Sequence, residues 1–295
     1  MPAEDYTKEM EFAKGAFGVV YKIRHNYSDA VFAMKEGKVD SHLVSPISEA
    51  LAVHTGSGRP NILKCIEHFY DSNIKKMCIV TDFCDGGNLE NYIIDTDPSD
   101  QVTLALMRQM ADAIRFAHKN GIVHGDIKPG NVLIKVENNE PIAKIADFGL
   151  GKITGTVSPP PPEFPLESYM TESGRKYMYM APEVFEGCHT EKVDVFSLGV
   201  IFCAILERLV LNIPGRGMEL VIIYNNDIQF PIGLVLQQNP HAVRLVLPMI
   251  TVPGETTSLV EAMLYADNIS RPSAEEVYKS LKLKSTTRCP NCSVL

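Results

Sequence analysis

The chain has 295 residues, of which 45% are hydrophobic and 22% are charged. This hydrophobic content is enough for a large core and excludes global disorder. The formal net charge of −8 argues against a general nucleic-acid binder, which needs a basic surface to displace counterions. The sequence therefore indicates a globular protein of one or two domains with no nucleic-acid partner.

Features that report on the cellular compartment point to the cytoplasm. The seven cysteines are odd in number and scattered, which favours free thiols in a reducing compartment. The first ten residues contain no apolar signal region. The longest apolar run, residues 195–206, is too short to span a bilayer and predicts a buried helix instead.

The first third of the chain reads as β-strands. Residues 19–23 and 31–34 are β-prone, and a polar turn at 25–29 separates them. A short helix is expected after Ser45, which can cap it, with Pro46 at its first position. Another strand begins at Ile79 and ends before the breaker at residues 85–87.

The remainder of the chain reads mainly as helices. Leu104, Met107, Met110 and Ile114 recur at helical spacing. Ser273 and Glu276 form a capping box that predicts a last helix. The pattern predicts an α+β fold with a strand-rich lobe at residues 1–84, a helix-rich lobe at 85–284 and a flexible tail at 285–295.

A glycine-containing segment lies at the start of the strand-rich region. Ala13, Gly15 and Gly18 are followed by Val19 and Val20, and glycine at such a turn lets the backbone approach a phosphate closely. The alternative is an ordinary hairpin turn. Ala13 stands where a G-x-G-x-x-G pattern would have its first glycine.

A lysine ends the next apolar strand. Residues 32–35, F-A-M-K, resemble the V-A-I-K strand of protein kinases, in which the lysine contacts the α- and β-phosphates of ATP. Such a lysine needs a carboxylate to hold it, and Glu49, in the expected short helix, is the candidate. The alternative is a surface lysine at a strand end.

The strongest motif is H-G-D-I-K-P-G-N at residues 124–131, which resembles the catalytic loop H-R-D-x-K-x-x-N of protein kinases. The resemblance implies that Asp126 accepts the proton of the substrate hydroxyl and that Lys128 steadies the γ-phosphate. It implies that Asn131 binds Mg²⁺, as does Asp147 of the following D-F-G. A lysine at position 128 is typical of Ser/Thr kinases rather than Tyr kinases.

Further motifs of the same family follow in the expected order. Ala181-Pro182-Glu183 matches A-P-E, and in the family this glutamate pairs with an arginine that corresponds to Arg271. Asp194 corresponds to the aspartate that hydrogen-bonds the catalytic-loop backbone. Together the motifs span residues 12–272, so accidental matches in an unrelated α+β domain are an inferior explanation.

The resemblance also implies a nucleotide site. Thr81 corresponds to the gatekeeper, and the backbone groups of Asp82 and Cys84 correspond to the hinge that binds adenine. The implied cofactors are ATP and Mg²⁺. The complete set of nucleotide-binding candidates is Ala13, Gly15, Gly18, Val20, Lys35, Thr81, Asp82, Cys84, Asn131 and Asp147.

The motifs predict a bilobal Ser/Thr protein kinase that acts on protein substrates. Residues 82–87, 181–187 and 193–200 further resemble the LIM-protein-interacting (Clik/PDIK-like) kinases, a group associated with the nucleus, which is the alternative location. Two other functions stay open. A pseudokinase scaffold is disfavoured because the catalytic groups are present, and a small-molecule phosphotransferase is disfavoured by Asp-Ile-Lys-Pro and Ala-Pro-Glu.

Three positions depart from the family pattern. Gly125 replaces the arginine that usually receives an activation-loop phosphate, which puts phosphate-driven ordering in doubt. Ala13 replaces a flexible glycine. Lys176 falls near the threonine that contacts the catalytic aspartate in Ser/Thr kinases. None of the three removes a catalytic group.

Two segments outside the motifs suggest partners. The last four residues fit a C-a-a-X prenylation signal on Cys292, with Cys289 available for a second lipid, and this predicts membrane association of the tail. The alternative is a chance terminal cysteine. Pro159–Pro162 could bind an SH3, WW or EVH1 domain, although a solvated loop is the simpler interpretation.

Overall fold

The protein was analysed as a computed structural model, which describes residues 2–15, 18–37, 58–148, 152–153, 177–188, 190–213, 217–220, 231–242 and 255–286. The chain divides into two compact units. One comprises Met1–Gly87 and Leu133–Gly149, and the other comprises Asn88–Val132 and Leu150–Leu295. Strands dominate the first unit and helices the second, so the predicted α+β fold is confirmed.

The first unit is built on a five-stranded antiparallel sheet. Its strands are β1 Tyr6–Gly15, β2 Gly18–His25, β3 Val31–Gly37, β4 Cys65–Asp71 and β5 Lys76–Asp82. They lie in the order β1-β2-β3-β5-β4, and within the described residues β1 is at one edge and pairs with β2 alone. The β-prone runs at residues 19–23 and 31–34 lie in β2 and β3 as predicted, whereas the strand predicted from Ile79 begins three residues earlier, at Lys76.

One face of this sheet buries a small apolar cluster. Ile23, Met34, Cys78 and Val80 form its centre, and each comes from β2, β3 or β5. Alternate residues of a strand face the same side of a sheet, so the three central strands can all contribute to one cluster. The cluster therefore fixes the register of the strand that carries Lys35.

A second hairpin belongs to the first unit. β7 Val132–Glu137 and β8 Glu140–Ile145 pair around Asn138 and Asn139, whose positive φ values of 52° and 65° suit a two-residue turn. The Ile145 amide donates to the Asn61 carbonyl and the Leu63 amide donates to the Ile145 carbonyl, each at 2.9 Å. These bonds explain why residues after the predicted boundary at 84 join the first unit.

The second unit consists mainly of helices. Two short strand pairs accompany them, β6 Ile122–Val123 with β9 Lys152–Ile153 and β10 Val210–Ile213 with β11 Gly217–Leu220. None of the helices in the described part of the chain has the length and apolar character needed to cross a bilayer. The helices are α1 Leu89–Thr96, α2 Asp100–Lys119, α3 Lys192–Leu206, α4 Ile232–Gln238, α5 Glu255–Met263 and α6 Ala274–Thr286.

The helices α2 and α3 form the core of this unit in different ways. α2 buries one face, which includes Met107, Met110 and Ile114 as predicted, and Ser99 caps its first turn. α3 is buried on all sides, because all thirteen residues from Val193 to Ile205 are buried. This confirms the predicted buried helix, and it places Asp194 inside the protein.

The last helix starts where the capping box predicts. The Ser273 amide donates to Glu276 Oε2 at 2.7 Å, and the Glu276 amide donates to Ser273 Oγ at 3.3 Å. The helix continues to Thr286, so residues 285 and 286 of the predicted tail are helical. Helix ends vary by one or two residues with their definition, and residues 287–295 lie outside the described part of the chain. The flexible tail therefore stays a prediction.

Candidate active site

In the first unit, β3 presents Lys35 to Asp147. Lys35 pairs with Val20 of β2 on one side and with Ile79 of β5 on the other, so its backbone is held in the middle of the sheet. Its ammonium lies 2.9 Å from Asp147 Oδ2, and the two side chains are 33% and 37% exposed. This ion pair is therefore open to solvent and to a ligand.

Asp147 follows β8 in an unusual backbone conformation. Its φ is +61°, in the left-handed region that residues other than glycine rarely adopt. Aspartate adopts this region more readily than most residues, and Asp29 adopts it in a turn outside the site. The ion pair with Lys35, and not the backbone conformation, places Asp147 in the candidate site.

Gly18 is required by a close backbone approach between β2 and β3. Its φ is +135°, and a Cβ atom at this position would lie 2.0 Å from the Glu36 carbonyl oxygen. No side chain fits there without displacing the strand that carries Lys35. Gly18 therefore has a structural reason in addition to the predicted approach to phosphate.

The other residues of the glycine-containing segment lie on the β1–β2 hairpin. Ala13 pairs with Val20, and Gly15 pairs with Gly18. Ala13 is exposed, so the methyl group that replaces a glycine hydrogen has room in this strand. The hairpin thus brings Ala13, Gly15, Gly18 and Val20 together, and their contact with phosphate stays a prediction.

Thr81 and Asp82 end β5, and Cys84 follows them. The Asp82 amide donates to the Lys64 carbonyl at 3.1 Å, which fixes this end of the strand. The Asp82 carboxylate lies 3.7 Å from the ammonium of Lys144, whose side chain is buried. Burial raises the pKa of the Cys84 thiol to about 11, so this cysteine stays protonated and unreactive at neutral pH.

In the second unit, three predicted catalytic-loop residues converge. Asp126 Oδ2 accepts a hydrogen bond from Lys128 Nζ at 2.7 Å and one from Asn131 Nδ2 at 3.0 Å. Asn131 Nδ2 also donates to the Asp126 backbone carbonyl at 2.8 Å. Because Asn131 bonds both the backbone and the carboxylate of Asp126, it fixes the direction of that carboxylate.

Asp194 holds the catalytic loop from inside the protein. Its carboxylate accepts hydrogen bonds from the His124 and Gly125 amides and contacts His118 Nε2, each at 2.8 Å. Burial opposes ionisation of Asp194, but the hydrogen bonds and the neighbouring imidazoles outweigh it and lower its pKa. Gly125 has a φ of +74°, which glycine adopts without steric cost.

Glu183 and Arg271 form a closed ion pair. The guanidinium donates to both carboxylate oxygens of Glu183, at 2.6 and 2.7 Å, and the side chains are 0% and 8% exposed for arginine and glutamate respectively. Arg271 also donates to the carbonyls of Tyr265, Ala266 and Lys192. The pairing implied by the family resemblance is therefore present, and its environment is that of a structural bond.

The donor groups fit ATP and Mg²⁺. Mg²⁺ is usually held by one or two carboxylates together with phosphate oxygens, and Asp147 offers a partly exposed carboxylate beside the Lys35 ammonium. Within the described residues, no three His, Cys, Asp or Glu side chains gather as a metal site. In the first unit Asp147 is suited to Mg²⁺, and in the second unit Asn131 carries an amide oxygen of the kind that Mg²⁺ accepts.

Several predicted residues lie outside the described part of the chain. They are Glu49, Lys176, the proline run Pro159–Pro162, and the two lipidation candidates Cys289 and Cys292. The predictions made for them stay predictions.

Sequence reasoning missed two buried polar side chains near the predicted sites. His118 is at the end of α2 and contacts Asp194, 76 residues further along the chain. Lys144 precedes Asp147 by three residues, and its ammonium donates to the Pro60 carbonyl at 3.0 Å. Neither residue belongs to a recognisable sequence motif. The only signal is that Lys144 lies in the apolar run that precedes D-F-G, where a charged residue is unusual.

Comparison with known proteins agrees with this geometry. The family model described as "Protein kinase domain" matches residues 6–281. A probable serine/threonine-protein kinase of Dictyostelium discoideum is 28% identical over 269 residues, which cover 89% of this chain and 14% of that protein. The chain thus spans about one seventh of the length of this relative. The match of the family model to residues 6–281, nearly the whole sequence, shows that the chain belongs to the protein kinase family.

Proposed function

We propose that the protein is a serine/threonine kinase that transfers the γ-phosphate of ATP to hydroxyl groups of protein substrates. The observation that carries the proposal is the Asp126 carboxylate, which Lys128 and Asn131 hold at 2.7 and 3.0 Å. A general base of this kind must be oriented toward the hydroxyl proton, and two hydrogen bonds supply that orientation. Family membership supports the same reaction.

Each residue then has a role in one phosphotransfer step. The substrate oxygen forms a bond to the γ-phosphorus, the bond to the β-phosphate oxygen breaks, and the hydroxyl proton passes to Asp126. Lys128 donates to the γ-phosphoryl group, and Lys35 binds the α- and β-phosphates. Asp147 and Asn131 would hold Mg²⁺, which neutralises charge on the phosphates.

The choice of acceptor is serine or threonine. Lys128 stands two residues after Asp126 and donates to it, and a lysine at this place is typical of Ser/Thr kinases. The curated relative carries the same description. On the resemblance of residues 82–87 and 181–187, we propose that the protein belongs to the Clik/PDIK-like subfamily. On the C-a-a-X pattern at Cys292, we propose that the protein is cytoplasmic and that a fraction of it associates with membranes.

A phosphotransfer assay tests the proposal. The purified chain is incubated with Mg²⁺, ATP and a peptide library that offers serine, threonine or tyrosine, and the products are located by mass spectrometry. We expect phosphate on serine and threonine and little on tyrosine. ATP binding without any phosphopeptide would instead favour the pseudokinase scaffold, and phosphate on a small molecule would favour the alternative phosphotransferase.

A further inference from the structure

Phe12 occupies a β-bulge in the edge strand β1. Glu11 pairs with Tyr21 and Ala13 pairs with Val20, so β1 advances two residues while β2 advances one. Phe12 is therefore the extra residue. A bulge changes the direction of the side chain that it contains. This bulge lies directly before the glycine-containing segment that begins at Ala13.

The Phe12 ring contacts Phe83, in the segment that follows β5. The ring centroids are 5.8 Å apart and the planes meet at 76°, an edge-to-face arrangement. The Lys22 ammonium lies 5.5 Å from the centroid of the Phe83 ring, and it also lies 3.3 Å from a carboxylate oxygen of Glu9. The Phe83 ring therefore contacts one side chain from β1 and another from β2.

The backbone on either side of Phe83 is anchored. Before it, the Asp82 amide donates to the Lys64 carbonyl at 3.1 Å; after it, the Gly86 amide donates to the Ile134 carbonyl at 2.9 Å. β1, in contrast, pairs on one side only among the strands that the structure describes. A fixed ring that contacts an edge strand restrains that strand more than it restrains the ring.

We propose that Phe12 and Phe83 are positioning residues that fasten β1 to the segment after β5 and thereby strengthen nucleotide binding. The inference rests on the proposed function, and on the predicted approach of the segment with Ala13, Gly15 and Gly18 to the phosphates of ATP. A strand that is already held in place loses less conformational freedom when nucleotide binds. The affinity of the protein for nucleotide is therefore higher. The contact acts on binding and not on the transfer step.

A double-mutant cycle tests this pair. Mg·ADP affinity is measured by calorimetry for wild type, Phe12→Ala, Phe83→Ala and the double variant. Each single substitution should weaken binding by about three- to tenfold, the size expected of an aromatic pair. The double variant should bind Mg·ADP as tightly as the single variant with the lower affinity, because one contact can be lost only once. If the affinity loss of the double variant equals the product of the two single losses, the proposal is overturned.

Two further variants separate positioning from general damage to the fold. Phe83→Tyr keeps the ring and should bind Mg·ADP as wild type does. Tyr27→Ala removes an aromatic side chain that is 84% exposed in the same unit, and it should leave affinity unchanged. In phosphotransfer assays, Phe83→Ala should raise KM for ATP and leave kcat within about twofold. A fall in kcat with unchanged KM would contradict the proposal.

Hydrogen exchange without nucleotide gives a readout that needs no catalysis. In Phe83→Ala the amides of residues 10–13 should exchange faster than in wild type, while those of β4 stay the same. Unchanged exchange in β1 would overturn the proposal. If the wild-type chain binds Mg·ADP but transfers no phosphate, the proposed function fails while the cycle and the exchange data still decide the role of the aromatic pair.

Discussion

Lys35–Asp147 and Arg271–Glu183 join a cation to a carboxylate in opposite surroundings. The first pair has one contact at 2.9 Å, and about a third of each side chain is exposed. The second has two contacts at 2.6 and 2.7 Å, and the arginine side chain has no exposure. Three backbone carbonyls take the remaining donors of Arg271.

The difference in burial means that Lys35 and Asp147 can exchange each other for a ligand, whereas Arg271 and Glu183 cannot. An exposed pair is worth little by itself, so phosphate or a metal ion can replace either partner at small cost. A buried pair that loses a partner leaves a charge without water or counterion, which is strongly unfavourable. Burial thus separates the pair that can serve a ligand from the pair that serves the fold.

Removal of the closed pair should have the largest effect on stability. We expect Arg271→Ala to lower the free energy of unfolding by about 3–5 kcal/mol, because Glu183 stays buried without its partner. Urea unfolding followed by circular dichroism measures this. Lys279→Ala, which breaks an exposed pair with Glu275, is the matched control and should change stability little. Equal losses in the two variants would remove the distinction.

Substitution of the candidate base should affect the rate and leave the fold intact. Asp126→Asn keeps an acceptor oxygen for Lys128 but cannot take the hydroxyl proton. Turnover should fall by about 10²–10⁴, while Mg·ADP affinity and the unfolding midpoint stay near those of wild type. Steady-state kinetics and calorimetry on the same preparation check both. A fall in turnover that merely follows a loss of folded protein would contradict the assignment.

Sequence and structure agree best where the contacts are local. Asp126, Lys128 and Asn131 lie within six residues, so the motif largely determines their meeting. The contacts of Asp194 and the Glu183–Arg271 pair span 69 to 88 residues, and only the family resemblance could supply them.

The structure adds contacts that no local pattern specifies. It pairs Lys35 with Asp147, 112 residues away, a contact that the sequence did not predict. The predicted contact of Lys35 with Glu49 stays a prediction, because Glu49 is outside the described residues. The bulge at Phe12 depends on the register between two strands, and that register follows from the packing of the whole sheet. Sequence reasoning has no access to such packing.

Acid should weaken the internal support of the catalytic loop. The pKa of Asp194 is lowered in the folded protein, so the stability it contributes is present above its ordinary value of 3.8 and is lost as the pH falls below that value. Asp194→Asn should be less stable than wild type at about pH 6, and the difference should shrink at about pH 3. Urea unfolding at both pH values measures it.

Asp267→Asn provides the control for the acid experiment. The Asp267 pKa is also lowered, by hydrogen bonds from Ser270 and Ile269, but this carboxylate is at the surface. Its pH-dependent difference from wild type should be the smaller of the two, since solvent screens exposed charges. A larger difference for Asp267→Asn would mean that burial is not what makes the Asp194 contacts strong.

Phosphatase treatment should have the smallest effect. Gly125 replaces the arginine that usually binds an activation-loop phosphate, so no side chain at this position can bind one. The Gly125 backbone amide donates to Asp194 at 2.8 Å, so the catalytic loop is held by a contact that needs no phosphate. We therefore expect turnover to be the same before and after dephosphorylation. A large loss of activity, traced by mass spectrometry to a site between residues 149 and 181, would contradict this prediction.

The most direct test of the account is ATP binding by Asp147→Ala with and without Mg²⁺. If the open pair serves the metal and the nucleotide, wild type should bind ATP more tightly when Mg²⁺ is present, and Asp147→Ala should lose that gain together with turnover. Asp29→Ala is the matched control, because Asp29 has a similar left-handed φ of 56° in a turn outside the site, and it should behave as wild type. An undiminished Mg²⁺ effect in Asp147→Ala would contradict the account.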